Sequence, residues 1–261
     1  MQALIKRLSL TLAPSTVSVT HGILATVLKA AVADRRIVSS PAVGTRLPRV
    51  SRPYVVPVAT AQVQTLAELA APHIRGLILT AAGTGMRQGE LFGVTVDRVD
   101  FQRRSLTVDR QLVNAEDGRL VFGPPKSAAS VREIPLPQVV FDALAAHLEA
   151  FPARHDGLVF VGTLGQPHSR SSFWKPWRTL TERAGVPGFK FHGLRHYHAS
   201  LLIRHGESVK TVQARLGHAT AAETLDTYSH LWPDSDDRTR DAVDVVLGAS
   251  ADSLRTEEAA T

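Results

Sequence analysis

The chain has 261 residues, of which 44% are apolar, and it contains no cysteine. This length suits one large domain, or one domain with a smaller partner, while the absence of cysteine excludes disulfides and thiolate metal sites and favours a cytoplasmic setting. The net charge of +6 is unevenly distributed, with +7 on residues 1–52, +4 on 53–232 and −5 on 233–261, which indicates a polyanionic partner for the first two parts.

The first 52 residues predict one helix followed by a linker. Helical spacing of apolar residues covers 15–36, with a start at Pro14-Ser15 and a stop at Ser39-Ser40-Pro41. No stretch of the chain reaches 18 uninterrupted apolar residues, so a membrane span is not expected. A signal peptide is not expected either, because Pro14, His21 and Lys29 interrupt the apolar N-terminal stretch. The segment 41–57 contains four prolines and predicts an extended linker. Its basic residues are candidate DNA contacts: Arg46, Arg49 and Arg52.

The middle of the chain predicts a mainly α domain with one small antiparallel β-sheet, an α+β fold. Strand-like alternation covers 104–113, 119–122 and 131–136. Thr60 is the expected cap of the first helix. Helices are predicted over 61–71, 73–82, 138–150, 170–184, 192–205, 208–216 and 220–229.

These patterns divide the chain into three predicted parts. Residues 1–52 form a small helical part with its linker, 53–233 form the main domain, and 234–261 form an acidic tail. The tail predicts one more helix, because apolar residues fall on one of its sides. Those residues are Ala242, Val243, Val246 and Leu247.

Three short motifs carry candidate chemistry, and each has a plain structural explanation when taken alone. Arg87 follows a glycine-broken helix end and precedes Glu90, which could hold its guanidinium, although a surface ion pair explains this spacing better. His192 and Arg195 would share a helix face. The spacing of His192 and His196 also suits zinc, but Gly193 stands where a zinc protease carries its glutamate, so no metal site is predicted.

The third motif combines a helix end with a tyrosine. Gly217 has the position of a helix-terminating residue, which would place His218 just beyond the helix. Tyr228 follows in the segment Thr-Leu-Asp-Thr-Tyr-Ser-His. A lone tyrosine is usually a packing residue with its hydroxyl at the surface.

In order, these elements resemble the tyrosine recombinases of the phage integrase family. The resemblance covers roughly residues 55–248, and residues 1–52 are similar to the last part of the family's core-binding domain, with the element Ile37 to Pro41 at its end. It implies the recombinase catalytic fold. Gly193 departs from the acid often found after the histidine. The resemblance assigns the six active-site positions to Arg87, Lys126, His192, Arg195, His218 and Tyr228.

The resemblance also implies a mechanism: DNA cleavage and rejoining through a 3′-phosphotyrosyl link, with no metal or other cofactor. Two arginines would clamp the scissile phosphate because their fixed forks match it. Tyr228 would attack, His192 would take its proton, and Lys126 would protonate the departing 5′-oxygen. His218 would donate a hydrogen bond to the phosphate. The implied partners are double-stranded DNA and further copies of the chain in a tetrameric synapse, with the acidic tail docked on a neighbouring subunit.

Two alternatives stay open from the sequence. Only about 52 residues precede the main domain, fewer than the family's usual core-binding domain, so the chain could be a DNA-binding remnant that no longer recombines DNA. A relaxing enzyme of the type IB topoisomerase class would use the same chemistry without pairing two DNA partners. The intact residue set argues for retained chemistry, whereas the short front argues against efficient recombination.

Overall fold

A computed structural model of the protein describes residues 1–50, 54–153, 156–232, 240–241 and 243–245. The chain divides into two compact units, Met1–Tyr54 and Val55–Thr261. The first unit contains α1 (Gln2–Leu8), which the sequence did not predict, and α2 (Pro14–Ala33). Pro14 occupies the first turn of α2, where its missing N–H costs nothing. The helix ends three residues before the predicted end because Arg35 adopts a left-handed φ of 55°.

The candidate DNA contacts of the first unit lie in its coil after α2. The Gln2 side chain accepts from the Arg46 backbone N–H (2.9 Å) and donates to the Arg46 carbonyl (3.1 Å), which fixes the backbone there. The Arg46 and Arg49 side chains are exposed, as DNA binding would require. Arg52 lies outside the described residues. DNA binding by these arginines stays a prediction.

Helix α2 is long and apolar enough to cross a membrane, by length and composition only. The sequence criterion of an uninterrupted apolar run did not select it. Of its residues only Val17 is buried. One such helix near the N-terminus is weak evidence for a span, because signal sequences and core helices of soluble proteins meet the same criterion.

The second unit is mainly helical, as predicted. Its helices are α3 (Thr60–Leu69), α4 (Pro72–Thr84), α5 (Gln88–Phe92), α6 (Gln138–Ala150), α7 (Arg170–Arg183), α8 (Gly193–Arg204), α9 (Val209–Leu216) and α10 (Ala221–Tyr228). All except α5 lie within two residues of a predicted helix. The predicted cap of α3 was wrong: Ala59 is the N-cap residue, and its N–H is bound by the Gln62 side chain (3.0 Å). The Thr60 hydroxyl instead accepts from Tyr197 (3.2 Å).

The small antiparallel β-structure expected from the sequence is present, and its strands are divided between two sheets. The strands are β1 (Val99–Asp100), β2 (Ser105–Val108), β3 (Gln111–Asn114), β4 (Leu120–Gly123) and β5 (Arg132–Pro135). One antiparallel sheet has the order β1-β2-β5, and β3 pairs with β4 in a second. The predicted strand 104–113 therefore breaks between β2 and β3. Ion pairs of Asp109 with Arg98 (2.9 Å) and of Arg110 with Asp97 (2.9 Å) hold the chain at this break.

Helix α4 lies at the centre of the main hydrophobic core and packs against α3, α6 and α8. Most of its residues are buried, including Leu77, Ile78 and Ala81. Gly83 allows the close approach of α6, since a Cβ there would lie 2.2 Å from a Val140 methyl carbon. This close packing fixes the end of α4 and therefore the position of the candidate residues that follow it in the sequence.

An aromatic cluster beside this core encloses a titratable residue, His168. Its ring lies 5.3 Å from that of Phe92 and 5.4 Å from that of Phe173, between centroids. Burial, followed by the charges of other histidines, lowers the pKa of His168 to about 4. Within the described part of the chain its Nε2 has no hydrogen-bond partner.

We expect His168→Phe to reduce the acid sensitivity of folding. The unfolded chain protonates this histidine below about pH 6.5, whereas the folded chain does so only near pH 4. His168 therefore lowers the free energy of unfolding as the pH drops through that window, and its contribution between pH 7 and pH 5 is about 2 kcal/mol. Urea unfolding at both pH values measures the difference. An equal pH dependence in the variant and the wild type would contradict this account.

The predicted tail helix falls mostly outside the described residues. Residues 240–241 and 243–245 are described and helical, and Val243 is exposed. Ala242, Val246 and Leu247 lie outside the described ranges. The tail's position therefore stays a prediction.

Candidate active site

Arg87 is held in place at the start of α5 by three elements of the fold. Its Nη1 donates to Glu90 Oε1 and to Ser130 Oγ (both 2.9 Å), and its Nη2 donates to the Gly217 carbonyl (2.9 Å). Glu90 also accepts from the Arg87 backbone N–H (3.0 Å) through its second oxygen. The side chain is 17% exposed. The guanidinium is thus fixed before any ligand arrives, while part of it remains accessible.

Glu90 is a fully buried carboxylate shared by two arginines. Arg132 from β5 donates to its Oε2 (3.0 Å) opposite the bond from Arg87. Burial by itself would raise the pKa of Glu90, but the charge and hydrogen bonds of Arg132, together with those of Arg87, lower it below its ordinary value. Glu90 therefore stays ionised at neutral pH. Arg132, which the sequence analysis did not single out, also bonds the Ser130 and Arg215 carbonyls (2.8 and 2.9 Å).

Arg195 is the second candidate clamp residue and is only 3% exposed. Its Nη1 donates to the carbonyl of Gly85 (2.8 Å), the residue that ends α4. Gly85 has a φ of 63°, and a Cβ there would lie 2.6 Å from the His198 ring, so the position requires glycine. Burial, and then the charge of Arg87, lower the pKa of Arg195 to about 10. The side chain remains a cation at neutral pH.

Both arginines are therefore anchored by the carbonyl of a left-handed glycine at a helix end. Gly217 ends α9 with a φ of 64°, as Gly85 ends α4. A Cβ on Gly217 would lie 3.0 Å from Arg132 Nη1 and 3.1 Å from two backbone atoms. Helix C-termini carry negative partial charge, which favours a bound guanidinium. The carbonyls hold two positive charges near each other without neutralising them.

His218 follows Gly217 and is buried against the tyrosine. Its Nδ1 shares a hydrogen bond with Thr224 Oγ1 (2.9 Å), and its ring lies parallel to that of Tyr228, 6.4 Å between centroids. Burial, and then the charge of Arg195, lower the pKa of His218 to about 4, while Glu223 opposes the shift. The ring is neutral at neutral pH. Its Nε2 lies 3.8 Å from Glu223 Oε1, too far for a normal hydrogen bond.

Tyr228 is the last residue of α10 and is 1% exposed. It packs in a small second core with residues of α8 and α9. Its hydroxyl lies 2.8 Å from Nδ1 of His196. Burial raises the pKa of Tyr228 to about 12, although Arg195 acts in the opposite direction. The phenol is thus protonated at neutral pH.

His192 lies at the N-cap of α8, one turn before His196. The residue is exposed, and its ring meets that of His196 edge to face at 4.9 Å between centroids. Partial desolvation, then His196 and the nearby arginines, lower the pKa of His192 to about 4. The two rings contact each other, but the hydrogen bond to the Tyr228 hydroxyl comes from His196.

Lys126 lies in the exposed segment between β4 and β5. It lines a cleft of about 310 Å³ together with Arg87, Gln111 and Arg170. Lys126 and the Arg87 guanidinium therefore face the same cleft. Among the described residues, no group of three or more His, Asp or Glu side chains is arranged to hold a metal ion.

The structure brings together most of the residues that the sequence selected. The two arginines lie close enough to each other and to His192 and His218 for their charges to act on one another, and Arg195 acts likewise on Tyr228. Lys126 lines a cleft with Arg87. Sequence reasoning missed the contacts that hold this group. His196 was considered only as a zinc ligand. Ser130 and Arg132 were missed because their partners Arg87 and Glu90 lie 43 and 42 residues away in the sequence. Thr224 was not considered, although its partner His218 is only six residues away.

Comparison with known proteins gives the family of the chain. A profile of the phage integrase family matches residues 58–234. The chain belongs to the phage integrase family. Its family segment covers the second unit through α10 and contains all six candidate catalytic residues.

Relatives of this integrase-family chain include proteins named as recombinases and integrases. It is 33% identical over 181 residues to a tyrosine recombinase XerC-like protein of Caldanaerobacter subterraneus subsp. tengcongensis, covering 62% of this chain and 46% of the relative. It is 26% identical over 173 residues to the ICEBs1 integrase of Bacillus subtilis, covering 63% and 46%. The chain thus spans about half the length of these relatives.

Solved structures show the same fold. A Tn1549 transposon integrase in complex with a circular intermediate DNA superposes with a TM-score of 0.79 at 21% identity, covering 94% of this chain and 84% of that one. A lambda integrase dimer bound to a core site gives a TM-score of 0.61 at 18% identity, covering 85% and 62%. The architecture predicted from the sequence, a tyrosine recombinase catalytic fold, is confirmed.

Proposed function

We propose that this chain cuts and rejoins double-stranded DNA at specific sites through a 3′-phosphotyrosyl intermediate on Tyr228. The observation that carries the proposal is the convergence of a buried phenol with two anchored guanidinium groups. Arg87 is bound to the Gly217 carbonyl, and the next residue, His218, lies against the Tyr228 ring. Arg195 precedes His196, which holds the phenol oxygen. The names of the family relatives support the same function.

The chemistry requires this set because phosphodiester cleavage builds negative charge on the nonbridging oxygens. Arg87 and Arg195 would bind those oxygens, with His192 and His218 as additional hydrogen-bond donors. The Tyr228 oxygen would attack in line and release a 5′-hydroxyl. The covalent link conserves the bond for rejoining, so no nucleotide cofactor is needed.

The proposed partners are double-stranded DNA and other copies of this chain. The basic charge of the first two parts of the sequence supports a nucleic-acid partner. We propose four copies in the synapse, with tails exchanged between neighbouring copies. We also propose that the protein acts on chromosomal DNA in the cytoplasm. The mass of a trapped synapse tests the copy number, and a mass that corresponds to two protein copies would contradict it.

Trapping on nicked suicide substrates tests the proposed function directly. Labelled duplexes drawn from the gene's own genomic flanks lose the 5′-hydroxyl fragment after cleavage, which prevents rejoining. We expect a denaturation-resistant complex whose DNA-linked peptide contains Tyr228. Relaxation of supercoiled DNA of any sequence would instead favour a topoisomerase, and DNA binding without a covalent product would favour a remnant.

Lys126→Ala is expected to slow cleavage by about 100-fold, because the departing 5′-oxygen loses its proton donor. A substrate with sulfur in place of that bridging oxygen should restore most of the rate, since a thiolate leaves without a proton. Single-turnover cleavage of both substrates measures the effect. Lys175→Ala, an exposed lysine on α7, is the matched control. Equal defects of Lys126→Ala on both substrates would contradict the role.

A further inference from the structure

The environment of the Tyr228 hydroxyl differs from the one that the family resemblance implies. The resemblance assigns proton acceptance to His192, whereas the atom in hydrogen-bond contact with the phenol is Nδ1 of His196, at 2.8 Å. The His196 ring meets the Tyr228 ring edge to face at 5.6 Å between centroids. Because Tyr228 is 1% exposed, bulk water cannot replace this contact without a change of structure.

The protonation state of His196 suits an acceptor. In the tautomer that carries its hydrogen on Nε2, Nδ1 has a lone pair and accepts the phenol proton in this hydrogen bond. Burial, and then the charge of Arg195 beside it, lower the pKa of His196 below its ordinary value. The imidazole is therefore neutral at neutral pH and has its basic nitrogen directed at the nucleophile.

The division of work between the two histidines follows from their positions on α8. His196 is partly buried, one turn into the helix, and contacts the phenol. His192 lies at the helix start with an exposed side chain, where an incoming phosphate could reach it. The edge-to-face contact of their rings fixes the two relative to each other.

We infer that His196, and not His192, orients the Tyr228 phenol and accepts its proton during attack on the DNA. This inference rests on the proposed function. In the step, the Oη–P bond forms while the Oη proton passes to Nδ1, which leaves His196 as an imidazolium. The P–O5′ bond breaks, and the 5′-oxygen takes a proton from Lys126. In rejoining, the 5′-hydroxyl attacks the phosphorus and returns its proton to Lys126, while the phosphotyrosyl bond breaks and the imidazolium returns its proton to the tyrosine oxygen.

Two substitutions separate holding the phenol from accepting its proton. His196→Phe removes both functions. His196→Asn places an amide oxygen near the position of Nδ1, so it can hold the phenol but cannot take the proton. We expect both variants to cleave a suicide substrate about 100-fold more slowly than the wild type at saturating DNA, with DNA affinity unchanged. His205→Asn, an exposed histidine at the end of the same helix, is the matched control.

A more acidic phenol at position 228 gives a readout that a purely structural role of His196 would not change. Site-specific 3,5-difluorotyrosine at position 228 loses its proton more readily. It should restore most of the rate lost in His196→Asn, relative to the same replacement in the wild-type background. Fluorine cannot repair a misfolded or misaligned site, so this rescue would support proton acceptance.

The outcomes separate the inference from the proposed function. If the wild type forms no covalent complex, the proposed function fails and the inference with it. If the wild type forms one and His196→Phe cleaves as fast or faster, only the inference is overturned. A His196→Asn cleavage rate within about threefold of wild type would also overturn it, because the rate enhancement from a general base is normally far larger. Failure of the fluorinated phenol to rescue His196→Asn would overturn it as well.

Discussion

Tyr228→Phe is expected to abolish covalent attachment to DNA while leaving DNA binding nearly unchanged. Phenylalanine fills the same buried space in the core formed with α8 and α9, so the fold should persist. The lost hydroxyl leaves Nδ1 of His196 without its partner, at a cost of about 1 kcal/mol in stability. The guanidinium groups that would bind the phosphate are unaffected. Suicide-substrate trapping and a DNA-binding titration on the same preparation measure both quantities.

The chain contains a matched control for this substitution. Tyr197 is also a buried tyrosine, and its hydroxyl donates to Thr60 (3.2 Å) away from the candidate site. Tyr197→Phe deletes the same atom and a comparable hydrogen bond, so its stability loss should be similar. It should retain covalent attachment. If Tyr228→Phe formed the covalent complex with DNA at the wild-type level, Tyr228 could not be the nucleophile.

Local sequence patterns were sufficient for the helices and for the glycine-dependent ends. Seven of the helices in the second unit were predicted because each presents an apolar face at helical spacing. Gly217 was recognised as the end of α9 because only glycine readily adopts the left-handed conformation there. Helix α5 was not predicted, since it has five residues and starts among glycines. Such short helices depend on tertiary contacts such as the Arg87–Glu90 pair.

The break between β2 and β3 and the contact of His196 with the phenol could not be predicted, because both depend on residues far apart in the sequence. The division of 104–113 into two strands requires the ion pairs of Asp109 and Arg110 with the chain ten or more residues before them. The role of His196 depends on a tyrosine 32 residues later. Its spacing from His192 indicated only a shared helix face. The order of the motifs therefore gave the family and the six positions, but the neighbours that tune each residue required coordinates.

Arg195→Ala is expected to lower the cleavage rate by about 1,000-fold, close to 4 kcal/mol of transition-state stabilisation. Its side chain is buried, and Nη1 is bound to the Gly85 carbonyl. Among the described residues no other hydrogen bond of this guanidinium is found, so most of its five N–H donors remain for the phosphate. Single-turnover cleavage at saturating DNA measures the chemical step.

Arg195→Lys decides whether charge alone is sufficient. Lysine keeps the positive charge but loses the planar fork that can bond Gly85 and the phosphate together. We therefore expect it to recover little of the lost rate. Arg178→Ala is the control, because that arginine is exposed on α7, pairs with Glu182 and lies over the Trp174 ring. It should cleave normally.

Arg87→Ala should show a loss of cleavage like that of Arg195→Ala but with a different effect on stability. Glu90 remains paired with Arg132 in this variant, so the buried carboxylate keeps one cationic partner. The substitution does remove the bonds that join α5 to Ser130 and to the end of α9. Thermal unfolding of each variant separates this structural loss from the catalytic one. Wild-type cleavage rates in folded Arg87→Ala or Arg195→Ala would contradict the clamp, since the deleted guanidinium would then not be needed to balance the charge on the phosphate.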